Sequence, residues 1–326
     1  MALNKGVPIQ MGNKKQYRHK ISIIKDLRMN KSFYAMMLPG FLFIVIFNYL
    51  PMMGILIAFQ DYNPVKGIFG SEWIGLKNFE FFFKSDAMAT VTFNTIFNNI
   101  IIMFSVTILS LLFSILMHET GNRWLTSSYK SVMLLPYFLS WIVFEYMLYA
   151  LLNVDQGIVN GFLTSLGLEP IQWYSEPVYW RFIIPLAYIL KSVGYTSVIY
   201  VAAITGISKE YYEAAEIDGA NKLHMARYIT IPLLMPVVIT LLLLSVGKIF
   251  NGGLGDWGAF FSLPRESGVL FSTTDVIDTY VFRMLRTVSD LGMSSAVGLY
   301  QSVVGLVLVL LSNYLIKRYD RDSSLF

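Results

Sequence analysis

Six long apolar stretches alternate with more polar segments along this chain of 326 residues. Each stretch reaches roughly the 20 residues that an α-helix needs to cross a bilayer at about 1.5 Å per residue. The apolar residues form continuous runs rather than the alternating pattern of a membrane β-barrel, which favours helices over strands. The pattern therefore predicts six membrane-spanning helices, at residues 33–59, 96–117, 132–152, 182–204, 229–250 and 296–316.

The composition agrees with a lipid environment. Hydrophobic residues make up 55% of the chain and charged residues 14%, against about 45–50% and about 25% in average soluble domains. A soluble core of this length cannot bury so much apolar surface, so we expect an all-α integral membrane protein. Cysteine is absent and the three histidines are far apart in sequence. These features argue against a disulfide framework, a cysteine nucleophile or a metal site.

Lysine and arginine are distributed unevenly between the two sides of the predicted membrane domain. Sixteen lie on the side that holds both termini, and seven lie on the opposite side. By the positive-inside rule both termini are cytoplasmic. The predicted organisation is a basic cytoplasmic segment at 1–31, a membrane domain at 32–316 and a cytoplasmic tail at 317–326.

A charged segment at residues 207–232 separates the fourth and fifth apolar stretches, and we call it the EAA segment. Helix-forming residues surround Ala214, Gly219 permits a turn, and Pro232 stands near the start of the next span, where its missing N–H is tolerated. This spacing predicts two short helices at an angle. From the spacing alone, a docking element and a loop that merely links two spans both remain open.

The EAA segment resembles the EAA motif of ABC importer permeases. The matching residues are Glu213, Ala214, Ala215, Gly219, Ile229 and Pro232, with Ile231 where the motif has leucine. Asp218 and Ala220 complete a form similar to that of carbohydrate permeases. Residues 94–95, 136–141, 297–302 and the tail from 317 resemble the LplB branch of the MalF-like sugar permeases. The resemblance extends from about residue 30 to the end of the chain.

This resemblance implies the type I ABC importer permease fold, with a cytoplasmic coupling helix, in a bacterial plasma membrane. The implied partners are a second homologous permease, two ATP-binding subunits that carry ATP and Mg²⁺, and an extracellular solute-binding protein. The residues implied to couple transport to ATP hydrolysis are Glu213, Ala214, Ala215, Asp218, Gly219, Ala220 and Pro232. The Walker A pattern is absent from the sequence, so we expect a transport subunit without a cofactor of its own rather than an enzyme.

Charged residues inside the apolar stretches are the first candidates for a translocation path, because ionisable groups at bilayer depth usually face the bundle interior. Glu145 and Lys191 lie at similar depth, which permits either a structural ion pair or a role in the path, and Lys248 can extend to the interface. Two such lysines would also suit an acidic, uronate-containing sugar. The complete candidate path is Glu145, Tyr149, Tyr188, Lys191, Tyr195, Lys248, Asn251 and Tyr300.

Two other functions compete with an oligosaccharide importer subunit. A stand-alone secondary transporter of a polar solute predicts repeated halves with matching helix interruptions, and the sequence shows neither. A membrane enzyme needs a cluster of catalytic side chains at one membrane face, and no such motif stands out. The EAA segment favours the importer over both.

Overall fold

The computed structural model describes residues 29–119, 123–250 and 258–319. Within these ranges the chain is almost entirely helical, with one two-stranded antiparallel pairing of β1 (Gln60–Asp61) and β2 (Glu72–Trp73). The helices in chain order are α1 Lys31–Ile44, α2 Gly67–Gly70, α3 Lys77–Phe83, α4 Asp86–Glu119, α5 Arg123–Phe138, α6 Trp141–Leu152, α7 Ile158–Ser165, α8 Pro177–Thr205, α9 Lys209–Ile217, α10 Lys222–Met225, α11 Ile231–Lys248, α12 Gly258–Ser262, α13 Phe271–Thr274, α14 Ile277–Arg283 and α15 Leu291–Tyr319.

The chain divides into two units, Met1–Met53 and Gly54–Phe326. The described part of the first unit is α1 and its continuation through a π-helical turn at Val45–Tyr49 into a 3₁₀ helix that begins at Leu50. None of the residues of α1 or of the π-helical turn is buried, although nearly all of them are apolar. Apolar side chains all round a helix are typical of a segment that lies in lipid.

Long helices form the frame of the second unit, and α4 and α8 pack along each other. Ile102 and Val106 of α4 lie in one core with Trp180, Ile184 and Tyr188 of α8. Helix α8 begins with Pro177 in its first turn, where a proline costs no hydrogen bond. Toward the other end of α8, Tyr200 and Ile204 pack against α11.

In the part of the chain that the structure describes, five helical segments are long and apolar enough to cross a membrane, and a bent pair formed from α5 and α6 raises the number to six if the pair is one span. The prediction of six spans is confirmed when the bent pair is counted as one span. The helices extend beyond the apolar stretches, as α4 does by beginning at Asp86, because polar and charged residues can continue a helix outside the lipid.

The third predicted span is not a continuous helix, which corrects the prediction at 132–152. Helix α5 ends at Phe138, α6 begins at Trp141, and their axes differ by 96°. Pro136 removes one backbone donor near the end of α5, and the Ser140 side chain accepts a hydrogen bond from the Val143 N–H to cap α6. We call residues 137–140 the helix break.

The connection between α11 and α15 is more deeply packed than the outer loop that the sequence predicts. Ala259, Leu263 and Leu270 are completely buried. The Asn94 side chain donates to the Ser272 and Asp275 carbonyl oxygens, which fastens this connection to α4. Residues 258–276 therefore form part of the core at the end of the bundle that faces away from the EAA segment.

Candidate functional sites

The EAA segment folds as the predicted helix–turn–helix. Helix α9 begins after Ser208, whose side chain accepts a hydrogen bond from the Glu210 N–H, and it ends before Gly219. Gly219 has a φ of 80°, in the left-handed region that favours glycine. The Ala220 N–H donates to the Ala215 carbonyl oxygen at 2.9 Å, which closes the helix end. The turn therefore depends on glycine for its backbone geometry.

The exposed face of this segment is the part available to a partner. Glu213, Ala214 and Asp218 are exposed, Ala215 and Ala220 are half-buried, and Pro232 begins α11 exposed. Two large apolar side chains are also exposed, Ile217 at 86% and Leu223 at 76% of their surface. Apolar side chains displayed on a polar element outside the spans are typical of a protein–protein contact.

Contacts to α4 hold the EAA segment against the membrane domain. The ring of His118 in α4 lies 5.9 Å from the Tyr212 ring, and within the EAA segment the Tyr212 hydroxyl forms a 3.0 Å hydrogen bond with the Thr230 hydroxyl. The Lys222 ammonium forms an ion pair with the Glu119 carboxylate at 3.2 Å. A cavity of about 340 Å³ lies under α9, beside His118. A displacement of α9 would therefore be passed on to α4.

The helix break brings three of the predicted path residues together. Lys191 is buried, and its ammonium donates to the Tyr137 carbonyl oxygen at 2.9 Å and to the Leu139 carbonyl oxygen. The Tyr195 ring stacks on the Tyr137 ring at 4.4 Å, and the Tyr188 ring packs 5.4 Å from the Trp141 ring. The lysine thus donates to carbonyl oxygens at the end of α5, the group of acceptors that every helix end leaves unsatisfied.

Glu145 and Lys191 have different partners in the structure, so the ion pair considered from the sequence is replaced by two separate interactions. Glu145 pairs with Arg265 of the connection between α12 and α13, with 3.3 Å between carboxylate and Nε. The Arg265 guanidinium lies 4.2 Å above the Tyr149 ring. Glu145 and Tyr149 therefore belong to a second cluster, nearer the end of α6.

Burial perturbs one titratable group in this second cluster. The Tyr149 and Tyr174 rings lie 5.7 Å apart, and the Tyr174 hydroxyl oxygen is buried without a hydrogen-bond partner among the described residues. Burial raises the pKa of Tyr174 to about 12, and the Glu145 carboxylate adds to that rise while Arg265 opposes it. Tyr174 is therefore neutral at physiological pH.

The other predicted path residues lie elsewhere. Tyr300 packs against Phe82 and Phe83, with ring centroids 5.7 and 5.4 Å away. Lys248 is exposed at the end of α11, and Asn251 lies outside the described residues. The sequence analysis missed Tyr137, Trp141 and Arg265. The first two stand in the stretch 136–141, whose Pro136 and Ser140 were signals for a helix end.

Comparisons with known proteins agree on one family. The family described as binding-protein-dependent transport system inner membrane component matches residues 106–321. The polygalacturonan/rhamnogalacturonan transport system permease protein YteP of Bacillus subtilis (strain 168) is 32% identical over 314 residues, covering 95% of this chain and 94% of that protein. Protein LplB of the same organism is 32% identical over 303 residues, covering 93% of each chain.

Solved structures agree as well. In the crystal structure of a bacterial ABC transporter involved in the import of the acidic polysaccharide alginate, one chain matches with a TM-score of 0.83 and 28% identity, covering 91% of this chain and 99% of that chain. In the structure of the bacterial alginate ABC transporter in complex with alginate pentasaccharide-bound periplasmic protein, the TM-score is 0.82 at 27% identity, covering 91% and 98%. The chain therefore belongs to the binding-protein-dependent transport system inner membrane components, the permease subunits of ABC transporters.

Proposed function

We propose that this chain is the membrane-spanning permease subunit of an ABC importer that moves oligosaccharides, uronate-containing ones in particular, across a bacterial plasma membrane. The observation that carries the proposal is the EAA segment, a glycine-dependent helix–turn–helix outside the spans that displays Ile217 and Leu223. A linking loop has no need for such an exposed apolar surface, whereas a coupling element does.

The partner of this surface is an ATP-hydrolysing subunit. This chain lacks a Walker A pattern, so two partner subunits supply ATP hydrolysis and hold ATP and Mg²⁺, while this chain needs no cofactor. Glu213 makes a polar contact with the groove of the ATPase, and the small Ala214 and Ala215 allow close approach. Closure of the ATPase pair then moves α9 and, through Tyr212 and His118, the end of α4.

The orientation of the chain in the membrane follows from the assignment of the EAA segment to an ATPase contact. The EAA segment faces the cytoplasm together with both termini, because the ATPase subunits and their ATP are cytoplasmic and the excess of lysine and arginine lies on this side. The opposite end of the bundle receives an extracellular solute-binding protein. A second, homologous permease completes a heterodimer around the shared path.

The proposed cargo rests on the relatives and on the aromatic residues of this chain. YteP is named as a permease for polygalacturonan and rhamnogalacturonan, and the alginate transporter imports an acidic polysaccharide. At the helix break, Tyr195 is 43% exposed and stacks on Tyr137. Such aromatic faces suit the apolar faces of pyranose rings. The Lys191 ammonium stabilises the helix break by donating hydrogen bonds to main-chain carbonyl oxygens.

Glu213→Arg tests the coupling assignment. We expect the reversed charge to weaken the ATPase contact by about 2 kcal/mol or more, the scale for charged groups at interfaces. Copurification of ATPase subunits with the permease, and oligosaccharide uptake by the assembled importer, should then each fall at least about tenfold. The matched control is Glu169→Arg, the same charge change at an exposed carboxylate in the connection before α8.

Two results would contradict the proposal. Assembly and uptake that are both intact in Glu213→Arg would remove Glu213 from the coupling contact. Uptake by the purified chain in vesicles that contain no ATPase subunit would instead identify a stand-alone secondary transporter.

A further inference from the structure

Arg265 and Glu266 occupy an unusual backbone conformation in the connection between α12 and α13. Their φ angles are 56° and 52°, in the left-handed region that residues with a side chain rarely adopt. Two such residues in succession persist only where their surroundings hold them, and such positions often occur at ligand-binding sites. Here Arg265 pairs with Glu145 of α6, while Glu266 pairs with Arg286 at 2.8 Å.

The ion pair with Glu145 reaches the Arg265 guanidinium most closely at Nε. The contact of 3.3 Å joins the Glu145 carboxylate to Nε, and the plane of the guanidinium lies 4.2 Å above the Tyr149 ring. Within the described residues, neither terminal nitrogen of Arg265 has a hydrogen-bond partner. The side chain of Arg265 is 38% exposed and that of Glu145 is 16% exposed. A more deeply buried carboxylate thus orients a cation whose two terminal nitrogens remain available.

Three other cations, Arg283, Arg286 and Lys191, already donate to acceptors of this chain. The Arg283 guanidinium donates through both terminal nitrogens to the Asp275 carboxylate, in the two-point arrangement typical of this pair. Arg286 donates to Glu266, and Lys191 donates to the carbonyl oxygens at the helix break. The two terminal nitrogens of Arg283 are thus engaged by the Asp275 carboxylate, whereas those of Arg265 have no hydrogen bond to a described residue.

The neighbouring groups favour an acidic sugar over a simple anion. Tyr149 presents an aromatic ring beside the guanidinium, and the Tyr174 ring packs against Tyr149 at 5.7 Å. A uronate combines a carboxylate, which matches the fork of an arginine, with hydroxyl groups and a ring whose apolar face can lie on an aromatic side chain. Along α6, Glu145 lies about 10 Å and Tyr149 about 4.5 Å before the helix end at Leu152, at about 1.5 Å per residue.

We propose that Arg265 binds a carboxylate of the transported oligosaccharide on the side of the membrane away from the EAA segment, with Glu145 and Tyr149 as positioning residues. This inference rests on the proposed function, because it names the residue that selects acidic over neutral cargo in the same importer. It makes Arg265, rather than the lysines predicted from the sequence, the determinant of charge preference.

The test uses the complete importer with its binding protein in proteoliposomes and compares two cargo probes. One is a galacturonate trisaccharide, and the other is its methyl ester, which keeps the rings but removes the charges. The measured quantity is the uptake ratio of acid to ester. Because the same binding protein delivers both probes to every variant, its own preference cancels when ratios are compared. We expect Arg265→Gln to lower the ratio about tenfold while uptake of the ester is retained.

Three further variants separate recognition from folding. Glu145→Gln with Arg265→Gln removes both charges of the pair, so a low ratio that persists in the double variant excludes an unpaired Glu145 as the cause. Arg265→Lys keeps the charge without the fork, and we expect an intermediate ratio. Lys84→Gln removes an exposed cation that pairs with Glu80, away from the Arg265 cluster, and should leave the ratio at the wild-type value.

Several outcomes would overturn the inference. An unchanged ratio in Arg265→Gln, or a ratio restored in the double variant, would show that Arg265 does not contact the cargo carboxylate. A wild-type importer that carries the ester as well as the acid would also refute this role of Arg265, while oligosaccharide import would stand. Uptake of neither probe nor of any other oligosaccharide would refute the proposed function itself, and the inference with it.

Discussion

Helices α5 and α8 approach each other closely at Gly194, and replacing this glycine with alanine tests the packing directly. A Cβ atom at position 194 would lie 1.7 Å from the Met133 carbonyl oxygen and 2.4 Å from its carbonyl carbon. Both atoms belong to the main chain, so no side-chain rotation can relieve the clash. In lipid, helices associate through close packing at small residues rather than through the hydrophobic effect, which makes this contact important.

The size of the effect follows from the distances. An ordinary contact begins near 3.4 Å, so α5 and α8 would have to separate locally by about 1.7 Å. Overpacking usually costs about 1–3 kcal/mol, and a clash between two main chains belongs at or above the upper end. The separation would also lengthen the bonds from Lys191, one turn away on α8, to the carbonyl oxygens of Tyr137 and Leu139.

The assay is thermal unfolding of the purified importer in detergent, together with uptake in vesicles. At about 2–4 °C per kcal/mol, the scaling of soluble domains, we expect Gly194→Ala to lower the Tm of this subunit by about 6 °C or more. The matched control is Gly298→Ala in α15, where nothing lies within 4 Å of the added atom. The control should be neutral or slightly stabilising, since alanine is the better helix former. An unchanged Tm and uptake in Gly194→Ala would refute the described contact.

Two further predictions concern buried polar groups. Lys191→Met should lower the Tm, because it leaves the Tyr137 and Leu139 carbonyl oxygens without this donor, at a cost of about 1–3 kcal/mol. The control Lys191→Arg should retain most of the stability. Equal Tm values for the wild type and Lys191→Met would contradict this prediction. Tyr174→Phe should leave the Tm at pH 7 unchanged or higher, because the lost hydroxyl has no partner among the described residues. Burial raises the pKa of Tyr174 from 10.0 to about 12 because it disfavours the phenolate, so the stability of the wild type is independent of this group below pH 10 and falls between pH 10 and 12, where the unfolded chain ionises before the folded one. The Tm measured between pH 10 and 12 should therefore fall less steeply for Tyr174→Phe than for the wild type. A parallel fall of the two Tm values would count against a buried Tyr174.

Features with a local cause were predictable from the sequence. The spans follow from runs of apolar residues that are long enough to cross a bilayer, and the fold confirms six of them when the bent pair is counted as one. The turn of the EAA segment follows from Gly219, because a left-handed backbone conformation there requires no contact from elsewhere in the chain. The role of this segment in coupling stays a prediction until Glu213 is tested.

Features with a distant cause were not predictable. Pro136 and Ser140 signal the helix break locally, but the Lys191 ammonium that contacts it comes from α8 and lies 52 residues after Leu139 in the chain. The similar depth of Glu145 and Lys191 left an ion pair between them open, but the partner of Glu145 is Arg265, which the pattern places in an outer connection. Depth along a span does not specify the direction in which a side chain points, nor whether a connection returns into the bundle.

The sequence by itself determined the membrane environment, the number of spans and the position of the EAA segment, because hydrophobicity, chain length and glycine geometry act over a few neighbouring residues. The tertiary structure alone decided which charges meet. Desolvation makes an isolated buried charge too costly, so each charge takes whatever donor or acceptor the packing brings within reach. For Lys191 these are main-chain carbonyl oxygens, and for Glu145 the Nε of the Arg265 guanidinium.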